Sequence, residues 1–456
     1  MTQDVDIQVD WSRVVTDEVL KQRLPTLHLE DVSAIPFVDG VAGVEQYQHR
    51  ARVRAHDGDL FASTTPPTSG YEDYCRETLR MGRVTEVLAE PVEGYPTQVA
   101  KACMRGRAFE QLCEVATAHG GLVLHPYMGH ESVWELAEKI EESVGVPIYV
   151  YGPRPEALWV ANDKARLTEL VEGIDLGGVL AETLIHRDVA SIAHALRDMA
   201  SRHDRVALKR TRCASAMGNQ VFASKELREM SSTEVDLLVE NFLAHTQWGG
   251  DEDILVVEWI DWTSSPSSQL WVPALQDAHN EVRVDGLYEQ LLVGEQGVFL
   301  GSMPSRLSES VEAQMREVSI RICQEFQKLG YVGRCSFDFV VDRQGRARLT
   351  ECNGRWGGTS SPMYLVDRSV KAEARPAYIA QDFVHEDLVG MRFEELLERI
   401  GEHVFDVKTQ QGRFLFYNVG PLEKKGKFDV VSLGDSHEDA LHGVKTVLPQ
   451  LLGLDS

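Results

Sequence analysis

The chain has 456 residues, 43% hydrophobic and 26% charged, a length that implies roughly two to four domains, each with its own core. Its net charge of −25 argues against a nucleic-acid partner, and no apolar run approaches the roughly 18 residues that span a bilayer. The start, MTQDVDIQVDWSRVV, lacks a basic-then-apolar leader, and the 7 cysteines are scattered with no CxxC pair, so reduced thiols and a cytoplasmic location are expected. Residues 1–60 are acidic and weakly patterned. From about 60 to 160 strands and helices alternate: GLVLHPYMG (121–129) reads as a strand and turn, and PIYVYG (147–152) as a second strand. Between them ESVWELAEKIEESVG (131–145) carries Val133, Leu136, Ala137 and Ile140 at helical spacing and ends at Gly145. Strand, helix, strand at this spacing predicts a parallel α/β unit. PRPEALWVANDK reads as a connection, with a first boundary near residue 160.

Helices are then predicted over 165–174, 191–203 and 234–247, with strands at RVALKRT (205–211) and DILVVEWI (253–260). SSQLWVPALQDAHNEVRVDGLYEQLLV predicts two strands joined at DAHN. A long amphipathic helix covers 309–330 and stops at Gly330. Residues 366–456 alternate again, from the helix RFEELLERIGEH to the strand GRFLFYNV, a basic turn PLEKKGKFDVVSLG and a final helix.

The stretch FDFVVDRQGRARLTECNGRWGGTS (337–360) reads as a hairpin whose polar residues need explaining. Residues two apart in a strand share a face, so Arg334, Ser336, Asp338 and Val340 lie together, as do Leu349, Glu351 and Asn353. A tip of two or four unpaired residues makes the two faces coincide and brings Asp338 within about 4.5–8 Å of Glu351 at Cβ. Two partly buried carboxylates opposite each other need a cation. Arg334, Arg355 or a metal can serve, and carboxylate and amide oxygens suit Mg²⁺ shared with phosphates. The bland alternative is a salt-bridged surface hairpin. Asn353, Arg355 and the small tail Gly354, Gly357, Gly358 and Ser360 lower its weight, since such a tail lets backbone approach a ligand.

An acid on one strand followed by Glu-x-Asn-x-Arg closing the next resembles the metal hairpin of the ATP-grasp carboxylate–amine ligase superfamily. The resemblance covers about residues 160–365. It implies an α/β (α+β) chain with three parts. These are a pre-ATP-grasp, Rossmann-like α/β domain over 1–160, an ATP-grasp domain over 161–365 and a C-terminal α/β domain over 366–456. Asp338, Glu351 and Asn353 would hold Mg²⁺, and Arg355, with Arg334, would face the transferred phosphoryl or acyl phosphate. The Asn-Asp-Lys run would supply Lys164, and the apolar strand RVALKRT would supply Lys209, whose ammonium there is costly unless it faces an anion. The loop CASAMGNQ, poorer in glycine than the family's, would cover the ATP phosphates with Ser215 and Gly218. Glu258, with the backbone of Trp259 and Ile260, would hold the adenine. Gln290 and Arg306 are further candidates, and His125 and His130 read as structural.

The flanking segments are similar to those of the pheganomycin-type peptide ligases of actinomycetes. This implies an ATP- and Mg²⁺-dependent peptide ligase of natural-product (antibiotic) biosynthesis. It would activate a carboxylic or amino acid bearing an amidino or guanidino group as acyl phosphate and couple it to a peptide amine. Other implied properties are small-molecule and peptide partners, no nucleic acid, no membrane, and a homodimer as the candidate oligomer. The rival readings are an ATP-grasp dipeptide or amino-acid ligase of different range, a kinase, and a non-catalytic ATP-binding regulatory protein.

Overall fold

The computed structural model describes residues 9–212, 218–294, 298–373 and 376–454. Its first sheet is parallel, with strands β1 (Thr26–Leu29), β2 (Leu60–Ser63), β3 (Thr85–Leu88), β4 (Leu122–Pro126) and β5 (Ile148–Val150) in the order β3-β2-β1-β4-β5. The predicted βαβ unit is present. β4 pairs parallel with β5, and the helix Glu131–Val144 between them buries Val133, Leu136, Ala137 and Ile140. Gly145 follows at φ 68°, a left-handed cap that glycine adopts without a Cβ penalty.

Two local expectations fail for identifiable reasons. The central strand β1 lies inside the supposedly unpatterned residues 1–60. Thr26–Leu29 is sandwiched between β2 and β4 with every position but the first buried, so the burial does not alternate and gives no period-two signal. The segment read as a connection contains the helix Pro155–Asn162, since Pro155 sits at the first helical turn where its missing N–H is harmless.

A four-stranded antiparallel sheet follows, with β6 (Thr183–His186), β7 (Arg205–Arg210), β8 (Asn219–Ala223) and β9 (Ile254–Glu258) in the order β6-β9-β7-β8. Helices Val189–Arg202 and Ser232–His245 cover it. The second begins with a capping box in which Ser231 and Glu234 satisfy each other's backbone N–H groups.

The third sheet contains β10 (Trp262–Ser264), β11 (Pro266–Val272), β12 (Arg283–Val293), β13 (Val298–Pro304), β14 (Gly333–Asp342), β15 (Ala347–Asn353), β16 (Ala377–Val384), β17 (Phe414–Asn418) and β18 (Lys427–Gly434). Its order is β10-β14-β11-β12-β13-β16-β18-β17, with β15 paired to β14. The helix Glu309–Lys328 buries Val311, Met315, Val318, Ile322 and Phe326 against β11, β14 and β15, which leaves the opposite strand face free for a cleft. The sheet does not break at residue 366: β13 pairs with β16 through Gly301↔Gln381 and Ser302↔Ala380. The supposed basic turn PLEKKGKFDVVSLG is a short helix, Leu422–Lys425, followed by the buried strand β18, pinned between β16 and β17. No helix among the described residues is long and apolar enough to cross a membrane.

Candidate active site

A cleft of about 1270 Å³ opens between the four-stranded sheet and the free face of the large one. Its lining includes Lys164, Lys209, Glu258, Trp259, Ile260, Asp338, Glu351, Asn353 and Arg355. These nine predicted residues, 164 to 355 along the chain, thus converge on one cavity.

The hairpin sets the geometry. β14 and β15 pair antiparallel with Asp338 directly opposite Glu351 and Ser336 opposite Asn353, and a bulge follows at Asp338/Phe339. Asp338 Oδ2 accepts from Asn353 Nδ2 at 3.0 Å, and Oδ1 accepts from Gln290 Nε2 at 2.8 Å. Asn353 Oδ1 accepts from Arg355 Nη2 at 2.7 Å. Arg355 Nη1 donates to the Tyr127 hydroxyl and to the Trp356 carbonyl, each at 3.0 Å. Burial pushes the Asp338 carboxyl up to about 8, and the Glu351 charge adds to the rise. Burial also acts to raise Glu351, but the Lys164 ammonium, 2.9 Å from its Oε2, overrides it and holds this carboxyl below its ordinary value. The two carboxylates are therefore inequivalent: Glu351 is in an ion pair with Lys164, whereas Asp338 forms none among the described residues and feels Arg355 only at longer range.

The Asn-Asp-Lys run is fastened at each position. Asn162 Oδ1 accepts from Gly354 N at 3.1 Å and its Nδ2 donates to Gly354 O at 3.3 Å, which ties the run to the end of β15. Asp163 caps the helix Lys164–Gly173, accepting from Ala165 N at 3.0 Å and Arg166 N at 3.3 Å. Lys164 then points at Glu351 from the first turn. A Cβ on Gly354 would lie 2.7 Å from Ala161 Cβ and Asn162 Nδ2, so this glycine is required by helix packing rather than by a ligand. Lys209, on β7, lies 5.4 Å from the Trp259 ring centroid. Burial pulls its ammonium down to about 8, with Glu351 opposing that fall and Lys164 adding to it.

At the far end of β9, the Glu258 carboxylate accepts from Glu182 N at 3.3 Å and stands 3.5 Å from His203 Nδ1. The Trp259 N–H is committed to the Arg205 carbonyl at 3.0 Å, so the edge of this strand offers Ile260 and the Trp259 carbonyl rather than the Trp259 amide.

Three expected residues are absent from the lining. Arg334 shares the strand face of Asp338, but it is buried between the Trp271 and Trp356 rings, each 5.3 Å away, and paired with Asp285. Strand parity gives a face but not how far along it the cleft extends, and Arg334 lies beyond its end. Arg306 is exposed and bonded to Glu438. Gly218 is a turn residue next to the cleft-lining Asn219, and its carbonyl accepts from Arg210 N at 2.9 Å. Ser215 lies outside the described residues. His125 is half-buried and its imidazole is held well below the usual range, first by burial and then by Arg54. His130 stands 3.2 Å from Asp31.

The cleft also uses residues that sequence reasoning missed: Tyr47 and Arg50 from an early 3₁₀ segment, and Asp382, Lys427 and Asp429 from β16 and β18. Only the alternation along β18, hidden by its reading as a turn, could have flagged the last two. Among the described residues no group of three or more His, Cys, Asp or Glu is placed to hold a metal ion. The hairpin offers two carboxylates and an amide, a set that fits Mg²⁺ when phosphate oxygens complete the shell.

Residues 48–141 match the Pre ATP-grasp domain family. No curated protein matches the chain. Among solved structures, an N5-carboxyaminoimidazole ribonucleotide synthetase (purK) in complex with ADP aligns with TM-score 0.55 at 12% identity, covering 94% of this chain and 98% of that one. The enzyme of that name from Thermus thermophilus aligns with TM-score 0.53 at 16% identity, covering 94% and 99%. The biotin carboxylase domain of Hydrogenobacter thermophilus 2-oxoglutarate carboxylase, solved with MgADP and bicarbonate, aligns with TM-score 0.55 at 14% identity, covering 94% and 92%. At these identities the likeness is one of fold. The chain has the ATP-grasp fold, with a pre-ATP-grasp parallel-sheet domain at its N-terminal side.

Proposed function

We propose that this chain is an ATP-dependent carboxylate–amine ligase acting on small acids, and in its finer form a peptide ligase. In that form it joins an amino acid bearing an amidino or guanidino group to the N-terminal amine of a peptide in natural-product biosynthesis. The observation that carries the reading is the convergence of the buried Lys164, the half-buried Lys209 and a cross-strand carboxylate pair on one cleft. Cations beside paired acids suit a triphosphate that shares a divalent ion with the protein. The ADP and MgADP in the neighbouring folds support the nucleotide part of the reading.

The roles follow from placement. Lys164 and Lys209 offset charge on the phosphates. Asp338, Glu351 and Asn353 would hold Mg²⁺, which supplies charge neutralisation at the phosphoryl oxygens. Glu258, Trp259 and Ile260 line the end suited to the adenine; Ser215 and Gly218 keep the phosphate role that the family resemblance implies, which their placement does not supply. A carboxylate oxygen of the acid attacks the γ-phosphorus and ADP leaves, giving an acyl phosphate. The amine lone pair then attacks the acyl carbon, inorganic phosphate leaves, and the proton of the new ammonium passes to solvent. Free carboxylates resist this second step because oxide is a poor leaving group. Arg355, held by Tyr127 and Asn353, faces the region where phosphoryl and tetrahedral oxyanion charge develops. A cleft of about 1270 Å³ exceeds the roughly 300–1,000 Å³ of a single-ligand pocket and so has room for a nucleotide and a second molecule.

The test is ADP release by purified protein with Mg·ATP, a panel of acids that includes guanidino acids, amino acids and bicarbonate, and a panel of amines and short peptides. ADP release that requires both an acid and an amine, with an amide product by mass spectrometry, supports the ligase. Release with bicarbonate alone points to carboxylation, and none with any pair leaves a nucleotide-binding protein.

A further inference from the structure

Beyond Arg355 the cleft continues to a second acid pair, on the opposite arm of the same sheet. β16 and β18 pair antiparallel with Asp382 directly opposite Asp429, and both side chains line the cleft. The arrangement repeats that of Asp338 and Glu351: like charges at one ladder position, which destabilise a sheet when no cation joins them. Asp429 is 3% exposed. Its Oδ2 accepts from Asn418 Nδ2 at 2.9 Å, while its Oδ1 has no hydrogen-bond partner among the described residues. A buried carboxylate oxygen without a donor is costly, and native proteins leave few such atoms.

The charged neighbours are accounted for. Lys427 Nζ stands 2.6 Å from Asp382 Oδ2 and donates to the Tyr47 hydroxyl at 2.6 Å. Arg50, on the facing 3₁₀ segment, bonds Glu30 at 2.7 Å. Asp429 therefore keeps an unbonded acceptor: the Lys427 and Arg50 charges act on it, but both groups bond elsewhere, and burial and Asp382 hold its carboxyl well above the usual range. The lining of the same cleft includes apolar residues, Val38, Val41 and Val44 among them.

We propose that Asp382 and Asp429 form a subsite for a cationic N–H donor group of the substrate, an ammonium or a planar guanidinium or amidinium. This rests on the ligase reading, and it assigns that reaction's charged substrate group to a place. A metal ion is disfavoured: one carboxylate is already on Lys427, and the pair lacks the nucleotide phosphates that would complete the shell at Asp338 and Glu351. An N–H donor needs one acceptor, and a charged donor on a carboxylate forms a strong, short bond. The apolar residues of the cleft lining suit the methylene stem that carries such a group.

The test measures binding of L-arginine, L-lysine and the neutral near-isostere L-citrulline by calorimetry, with and without Mg·ADP, to the wild type and to Asp429→Asn and Asp382→Asn. Asp429→Asn removes a charge from a like-charged pair, so its thermal midpoint should hold; Asp382→Asn also takes the partner of the buried Lys427 and should melt lower, so its binding is read well below that midpoint, and two variants guard against one failing to fold. The wild type should prefer a cationic probe over citrulline by at least about tenfold, the scale of one charge-assisted hydrogen bond. Both variants should lose that preference while binding Mg·ADP as the wild type does. Preference for arginine alone indicates a guanidinium, and for lysine alone an ammonium. Equal binding of citrulline, no binding of either cation at millimolar concentration, or full preference retained in both variants overturns the proposal. Nucleotide binding is read separately, so a wild type that binds Mg·ADP but shows no cation preference sinks the subsite alone, and absent Mg·ADP binding sinks the ligase reading.

Discussion

Asp338 faces Glu351 at one ladder position, both half-buried in the wall of the cleft, where screening by water is reduced. Lys164 pairs with Glu351. In the absence of ligand this like-charged pair opposes folding; Asp338→Asn relieves the repulsion but gives up one of two accepted hydrogen bonds, so it should stabilise the metal-free protein by about 1 kcal/mol or less. The same variant should lose the stabilisation that Mg·ADP gives the wild type. Urea melts with a chelator and with Mg·ADP check both halves; a variant less stable than wild type in chelator contradicts the account. His49 makes a contrasting case. It is buried, bonded to Thr65 Oγ1 at 3.0 Å, and burial pulls its imidazole down to about 4. The folded state thus binds fewer protons than the unfolded one. His49's contribution, about 3 kcal/mol, is fully present above pH 6.5 and is lost as pH falls toward 4. His49→Gln should flatten that limb of the stability–pH curve, as followed by circular dichroism.

At the scale of elements, the hairpin was legible because both of its strands lie in one stretch of sequence. Parity along 334–340 and 349–353 is enough to oppose Asp338 and Glu351, and the strand register has them paired. Asp382 and Asp429 oppose each other in the same way, yet β17 and several helical segments intervene between their strands, and no local pattern links them. Arg334 shows the limit of parity: it lies on the right face but under Trp271 and Trp356, which are brought there by other elements. The helix Pro155–Asn162 was hidden by its prolines and β18 by the lysines just before it. Both are cases in which a local breaker or charge marks the start of an element rather than its absence.

For the whole molecule, the cleft is built from every part of the chain: Tyr47 and Tyr127 from the first part, Lys209 and Glu258 from the four-stranded sheet, the hairpin, and β16 to β18. The alternation of strands and helices made an α/β chain legible, but not the continuity of the large sheet through β13 and β16. That continuity has a consequence. A chain cut at residue 365 loses β16 to β18, bares the β13 edge and removes the partners of Tyr71, Tyr74 and Tyr288 from their shared core. It should aggregate or show no cooperative melt, whereas a soluble, cooperatively folding 1–365 fragment would show the C-terminal strands to be dispensable. The central claim, that two lysines and a carboxylate pair assemble a phosphoryl-transfer site for making an amide, is tested most directly by quantifying ADP and amide product together. The account predicts equal amounts of both, dependent on Mg²⁺, on an acid and on an amine, and abolished by Glu351→Ala; ADP formed without an amine-dependent product, or product formation unchanged in Glu351→Ala, would contradict it.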